Sequence, residues 1–235
     1  MESEVAQAAT QTISDPNFIQ AMAIFMDEGG IFMWIILSIW LFGLSIAIER
    51  FSQLFRYDIN GNSLMSEIKK SVLENNVQSA ISLCSNSKAV LPQVLKNALK
   101  RANQPKDTIL DTVDASVLEV TPKVEKRLSY LALVANVSTL IGLLGTIYGL
   151  IESFSAVASA DPSEKAKLLA LGISKAMNTT ALGLISAISI MVIHTVLTNK
   201  SEKILSDVDE YSLKLVDLLG TKKGRPVMGA VAANE

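Results

Sequence analysis

Three stretches without a charged side chain constrain this chain more than anything else in it. Gly30 to Ile48 is 19 residues long, Leu128 to Ile151 is 24, and Ala176 to Asn199 is 24 with only His194 titratable. At 1.5 Å rise per residue, each can cross a hydrocarbon core about 30 Å thick, the first with little slack. Length alone decides nothing, since 235 residues could also bury a soluble core. The charge-free runs decide more. They predict an all-α integral membrane protein with transmembrane helices at 30–48, 128–151 and 176–199.

Lys and Arg set the orientation. Residues 1–29 contain none, against five acids, whereas residues 49–127 hold 12 of the 21 basic residues and the segment from Lys200 holds six more. Positive charge stays in the cytoplasm. The expected topology is an outer, periplasmic N-terminus (1–29), a cytoplasmic domain (49–127), a periplasmic loop (152–175) and a cytoplasmic C-terminus. No basic segment precedes the first run, which reads as an uncleaved anchor.

Between the spans the sequence reads as helix. Ser14 to Met26, "SDPNFIQAMAIFM", opens with a capping residue and a proline and carries Phe18, Met22, Phe25 and Met26 on one stripe, so an amphipathic helix on the outer membrane surface is expected. Residues 49–127 are periodic throughout, with a break at Asn75-Asn76, and run into the second span apart from Pro122. The third span continues as a helical extension over 200–219, with Ile204, Val208, Tyr211, Leu215 and Leu218 as its apolar face. Residues 220–235 read as a disordered tail. Two of the three membrane helices thus extend into one helical cytoplasmic domain.

Chemistry has no visible seat. Cys84 is the only cysteine and His194 the only histidine, so neither a metal cluster nor a nucleophilic triad can be assembled, and no phosphate-binding glycine loop is present. No enzyme, cofactor, metal or nucleic-acid role is expected.

The membrane runs are unusual for their small and polar residues. Gly142, Gly145 and Gly149 fall on one side of the second span; Ala176, Thr180, Gly183 and Ala187 recur at spacings of 4, 3 and 4 in the third. Such stripes let helix backbones approach closely in lipid. Thr146 lies five residues before the outer end of its span, and Thr180 four residues after the start of the next. Both are therefore roughly 6 to 8 Å inside the outer limit. With Thr179, Asn178 and Ser186 beside them, they suggest a polar ring around a hydrated path. Yet no span contains Asp, Glu, Lys or Arg, and driving an ion needs a charged group near the path. The carboxylate must come from elsewhere.

These residues resemble a known family. "GGIFMWIILSIWLFGLSIAIER", Gly29 to Arg50, is similar to the first span of the three-span ExbB/TolQ branch of the ExbB/TolQ/MotA membrane motor subunits. "IGLLGTIYGLIESF", Ile141 to Phe154, resembles the GLLGT-x-x-G motif, and "GISKAMNTTALGLISAIS", Gly172 to Ser189, the GI-x-x-AL-x-TTA-x-GL-x-x-AIP motif. The resemblance implies a homopentameric ring in the bacterial inner membrane around a pair of helices from an ExbD/TolR/MotB-like single-span partner, whose membrane aspartate fills the gap noted above. It implies transport of H+ or Na+, coupled to work on the cell envelope or outer-membrane transport, with Thr146 and Thr180 as pore threonines and Thr179 as their doubled neighbour.

Three positions depart from the family pattern. Lys175 stands for its glutamate at the outer mouth, Thr139 lies where a proline precedes GLLGT, and Ser189 replaces the AIP proline. Without the prolines, straighter helices are expected. Two rivals follow from the residues alone. One is a non-conducting membrane scaffold packed by its glycines. The other is a self-sufficient transporter, which would need an intramembrane charge or broken helices.

Overall fold

The computed structural model describes residues 25–26 and 29–223. The expected amphipathic helix at 14–26 lies almost entirely outside the described residues, as does the tail beyond Lys223. Described secondary structure is helical in the order α1 (Ile31–Tyr57), α2 (Gly61–Leu73), α3 (Val77–Ser85), α4 (Val90–Lys100), α5 (Lys106–Glu125), α6 (Leu128–Ser159) and α7 (Lys165–Lys223). No strand occurs among the described residues, and three helical stretches are long and apolar enough to cross a membrane. The fold is all-α with three membrane-spanning helices.

The helix ends differ from the sequence reading in three places. The segment expected as an outer loop, 152–175, is helical except at 160–164, where Pro162 falls. The helix extension does not stop at Leu219 but runs to Lys223, because one glycine, Gly220, weakens a helix without ending it. The expected irregularity at Pro122 is absent: Pro122 sits inside α5. Its lost hydrogen bond would have gone to the carbonyl of Leu118, an exposed residue. The break comes later, at Lys126 and Arg127, and Arg127 adopts a left-handed φ of 62°. Helices α6 and α7 are unbroken at Thr139 and Ser189.

The described residues belong to two compact units. The first contains residues 1–43 and 133–190. Here α1 turns Met33, Ile36 and Gly43 inward. A Cβ on Gly43 would stand 2.8 Å from Val134 Cγ1 and 3.0 Å from Ile190 Cδ1, so α1 packs against both α6 and α7 at that level. The Trp40 indole N–H donates to Ser189 Oγ at 2.8 Å, in the place where the family pattern has proline.

The second unit contains residues 44–132 and 191–235. Asn60 and Asn76 cap α2 and α3 by accepting from the backbone N–H groups of Ser63 and Ser79, the usual service of Asn at a helix start. Helix α4 buries Val90, Leu91, Val94, Leu95, Ala98 and Leu99, an apolar stripe at helical spacing. Those side chains share the core with Ile68, Val72, Cys84, Ile109 and Val113. Gly61 lies against the ring of Tyr211 and leaves no room for a side chain. Ion pairs join Arg127 to Glu49 and Lys200 to Asp58.

Candidate functional site

The site is built on the seam between α6 and α7 in the first unit. A Cβ on Gly142 would meet the Gly183 Cα at 3.2 Å, one on Gly145 the Thr179 Oγ1 at 2.8 Å, and one on Gly149 the Ala176 Cβ at 3.2 Å. Ser153 likewise closes on Gly172. These pairs fix an antiparallel register of 142 with 183, 145 with 179, 149 with 176 and 153 with 172. The glycines predicted as packing residues thus face one another's helices, and Ala187 is buried alongside them. Close backbone approach of this kind is how helices associate where lipid offers no hydrophobic drive.

That register settles which flank each polar residue occupies. One step along an α-helix turns the side chain by about 100°. On antiparallel helices that face each other, a step of +1 from the seam carries both side chains to the same flank. Thr146 follows the seam residue Gly145, and Thr180 follows Thr179. The two threonines therefore share one flank, and the register puts them within one residue of equal depth. Exposed apolar side chains surround them there, among them Leu143, Met177 and Leu184.

A step of −1 leads to the opposite flank, where Tyr148, Glu152, Lys175 and Asn178 precede the seam residues Gly149, Ser153, Ala176 and Thr179. Helix α1 covers that side. The Phe32 ring packs on Tyr148 with centroids 5.3 Å apart, and the Lys175 side chain lies over Gly30, which has a left-handed φ of 70°. Lys175 Nζ donates to Glu152 Oε2 at 2.8 Å. The lysine expected at an outer mouth is thus paired with the first acid after the charge-free run of α6, a partner that sequence reasoning did not name. A cavity of about 290 Å³ adjoins the pair, lined by Ser153, Leu171 and Gly172 among others.

The predicted site residues consequently separate into three groups. Thr146 and Thr180 come together on the flank away from α1. Thr179 is buried in the seam and donates to Ala176 O at 2.7 Å. Asn178 and Lys175 lie on the α1 side. Ser186, expected in the polar ring, is buried between the helices, and so are two hydroxyls that reasoning from sequence missed, Ser138 and Ser153; their spacing from the glycines is the one signal that could have placed them. The described residues hold no group of His, Cys, Asp and Glu suited to a metal.

The hydroxyl protons of the three threonines are committed. Thr146 Oγ1 donates to Leu143 O at 2.6 Å, one turn back on its own helix. Thr180 Oγ1 donates across the seam to Gly142 O at 3.2 Å. A hydroxyl that has given its proton to a carbonyl can only accept further bonds. Thr146 is half-buried, so its free lone pairs suit a hydrogen-bond donor or a small cation.

Sequence comparison agrees with this architecture. Residues 86–210, which take in all of α6 and most of α7, match the family described as the MotA/TolQ/ExbB proton channel family. The Tol-Pal system protein TolQ of Haemophilus influenzae is 32% identical over 123 residues, covering 48% of this chain and 54% of that protein. The biopolymer transport protein ExbB of Salmonella typhimurium is 32% identical over 108 residues, covering 43% and 44%. Both alignments span about half of the relative's own length. A longer match joins the chain to an ExbB homolog of Methanothermobacter thermautotrophicus, 22% identical over 195 residues, covering 82% of this chain and 68% of that one. The family match covers more than half of the sequence and contains the whole glycine seam: this chain belongs to the MotA/TolQ/ExbB proton channel family.

Proposed function

We propose that this protein is the ring-forming subunit of an ion-driven motor or channel in the bacterial inner membrane, with its N-terminus periplasmic and its C-terminus cytoplasmic. Five copies would surround the span of an ExbD/TolR-like partner, and flow of H+ or Na+ past that partner's aspartate would drive work on the cell envelope. One observation carries the reading. Thr146 and Thr180 stand together on the flank of the α6–α7 seam that α1 leaves open, in spans without a carboxylate of their own. A polar pair at matched depth on a membrane helix face has little use against lipid. It suits a path whose charge belongs to another chain.

The test is cation flux in liposomes from the full chain reconstituted with a single-span, aspartate-bearing partner, beside the full chain alone. Flux is expected only with the partner present, and the Thr146→Val, Thr180→Val double variant should lose most of it. Substantial flux from the chain alone would refute the division of labour. Undiminished flux from the double variant would refute the threonine path, and absence of flux even with the partner would favour a non-conducting scaffold.

A further inference from the structure

Two opposite charges meet where the charge-free runs end. Glu152 is the first charged residue after the run Leu128 to Ile151, and Lys175 the last before the run Ala176 to Asn199. The register of 153 with 172 and 149 with 176 brings them within one turn of each other, at one border of two membrane-spanning helices. Lipid headgroups lie at that level. Lys175 Nζ donates to Glu152 Oε2 at 2.8 Å, yet the side chains remain 32% and 53% exposed. An ammonium has three N–H groups and a carboxylate accepts at about four positions. The pair therefore keeps unused donors on one partner and unused acceptors on the other.

The adjoining cavity, about 290 Å³, supplies a third group. Ser153 lines it although the residue is only 4% exposed, and its hydroxyl proton goes to the Gly149 carbonyl at 2.6 Å. Its oxygen can only accept further bonds. Gly172 leaves space for that oxygen, since a Cβ there would collide with it. Ala156, Leu168 and Leu171 form apolar walls, and among the described lining residues Glu152 and Lys175 alone are charged. Deeper along the same flank of α6, Tyr148 and Leu144 are half exposed.

We infer that this cavity binds the phosphoethanolamine headgroup of a zwitterionic phospholipid, with the phosphate on Lys175 and the primary ammonium on Glu152 and Ser153. The inference goes beyond the ion-path reading and does not depend on it. Net charge selects the class of ligand. A purely anionic headgroup would be repelled by Glu152 as it is attracted by Lys175, whereas a zwitterion satisfies both. Hydrogen bonding selects within the class. A phosphate only accepts, which suits the free N–H groups of Lys175. A primary ammonium donates, which suits Glu152 and the Ser153 oxygen; a trimethylated choline has no N–H to give them. The apolar walls match the methylene groups between phosphate and ammonium, and the face at Tyr148 and Leu144 is open to the acyl chains.

The test is headgroup selectivity. The purified full chain, stripped of lipid in detergent, is mixed with equal amounts of phosphatidylethanolamine, its N-methylated forms, phosphatidylcholine and phosphatidylglycerol of one acyl composition. Retained lipid is counted by native mass spectrometry. Phosphatidylethanolamine should be retained roughly fivefold over phosphatidylcholine, about the worth of one hydrogen bond, with the N-methylated forms in order between them. Glu152→Gln leaves Lys175 unopposed and should shift the preference to phosphatidylglycerol. Lys175→Gln should lower phosphatidylethanolamine retention roughly tenfold, the loss of a charged hydrogen bond. The wild-type headgroup series decides the matter even if a variant fails to fold. Equal retention of phosphatidylethanolamine and phosphatidylcholine would overturn the inference, as would a folded Glu152→Gln variant with the wild-type preference. Displacement of the lipid by soluble glycerophosphoethanolamine at equal concentration would also overturn it, assigning the site to a soluble phosphate ester.

Discussion

Gly183→Ala puts the tightest point of the α6–α7 seam to the test. A Cβ at this position would stand 2.9 Å from the Gly142 Cα and 2.9 Å from the Ser138 carbonyl oxygen. Both are backbone atoms and cannot rotate away. Carbon contacts are comfortable from about 3.5 Å, so the helices must part by roughly 0.5 Å. Overpacking of this kind costs about 1–3 kcal/mol. The Thr180–Gly142 bond, 3.2 Å long, would stretch beyond a useful length at a further cost of about 1 kcal/mol. Better helix propensity of Ala returns about 0.5–1 kcal/mol. The net destabilisation is about 1–3.5 kcal/mol, or roughly 2–14 °C in Tm for a chain of this size. Two further glycines calibrate the result. Gly149→Ala meets the Ala176 methyl at 3.2 Å and should cost under about 1 kcal/mol. Gly220→Ala meets only the Lys106 Cδ at 3.5 Å, ordinary contact, and should raise Tm through propensity alone. Thermal melting of the three purified variants in one detergent gives the order 220 above wild type, then 149, then 183. Gly183→Ala melting at or above wild type would refute the close seam and the register built on it.

Other expectations rest on single groups. Burial pushes the Cys84 thiol up to about 11, so at pH 8 maleimide labelling of the folded chain should run roughly two orders of magnitude slower than that of the unfolded chain. Because the folded state holds this proton longer than the unfolded state, the thiol's contribution to stability should decline as pH rises from about 9 toward 11. Arg127→Gly and Arg127→Ala both lose the ion pair with Glu49, but only Gly relieves the left-handed backbone at φ 62°; the Gly variant should melt above the Ala variant by the equivalent of about 1 kcal/mol. For Trp40→Phe and Ser189→Ala, a double-mutant cycle read by melting should give a coupling of about 1 kcal/mol from the bond they share.

Much of the fold was legible because its causes are local. An uncharged run declares a span whatever surrounds it, and the Asn75-Asn76 pair declares a break: Asn75 takes a φ of 61° and Asn76 caps α3. The depth match of Thr146 and Thr180 followed from counting residues and agrees with the register to within one position. What counting could not supply was phase across helices. Asn178, Thr179 and Thr180 are consecutive, and each points to a different surroundings only because Gly142, Gly145 and Gly149 fix where the seam runs. The Trp40–Ser189 bond joins residues 149 positions apart, with no local signal at either end. Arg127 escaped for the opposite reason. Its left-handed conformation usually belongs to Gly or Asn, and nothing nearby in sequence advertises that Glu49 will hold an arginine there.

The 59 residues of α7 form one helix with no interruption, and that has a consequence for its tolerance of insertions. An uninterrupted helix keeps a single angular phase from end to end. One residue inserted after Ile204 would rotate Val208, Tyr211 and Leu215, all buried, by about 100° relative to Ile204, and advance them by 1.5 Å. Seven inserted residues would add nearly two full turns and restore the phase to within about 20°. The gene encoding this segment should therefore accept additions of seven codons far better than additions of one, two or five. The helix behaves as a ruler on which Ile204, Val208, Tyr211 and Leu215 are marks that must stay in phase.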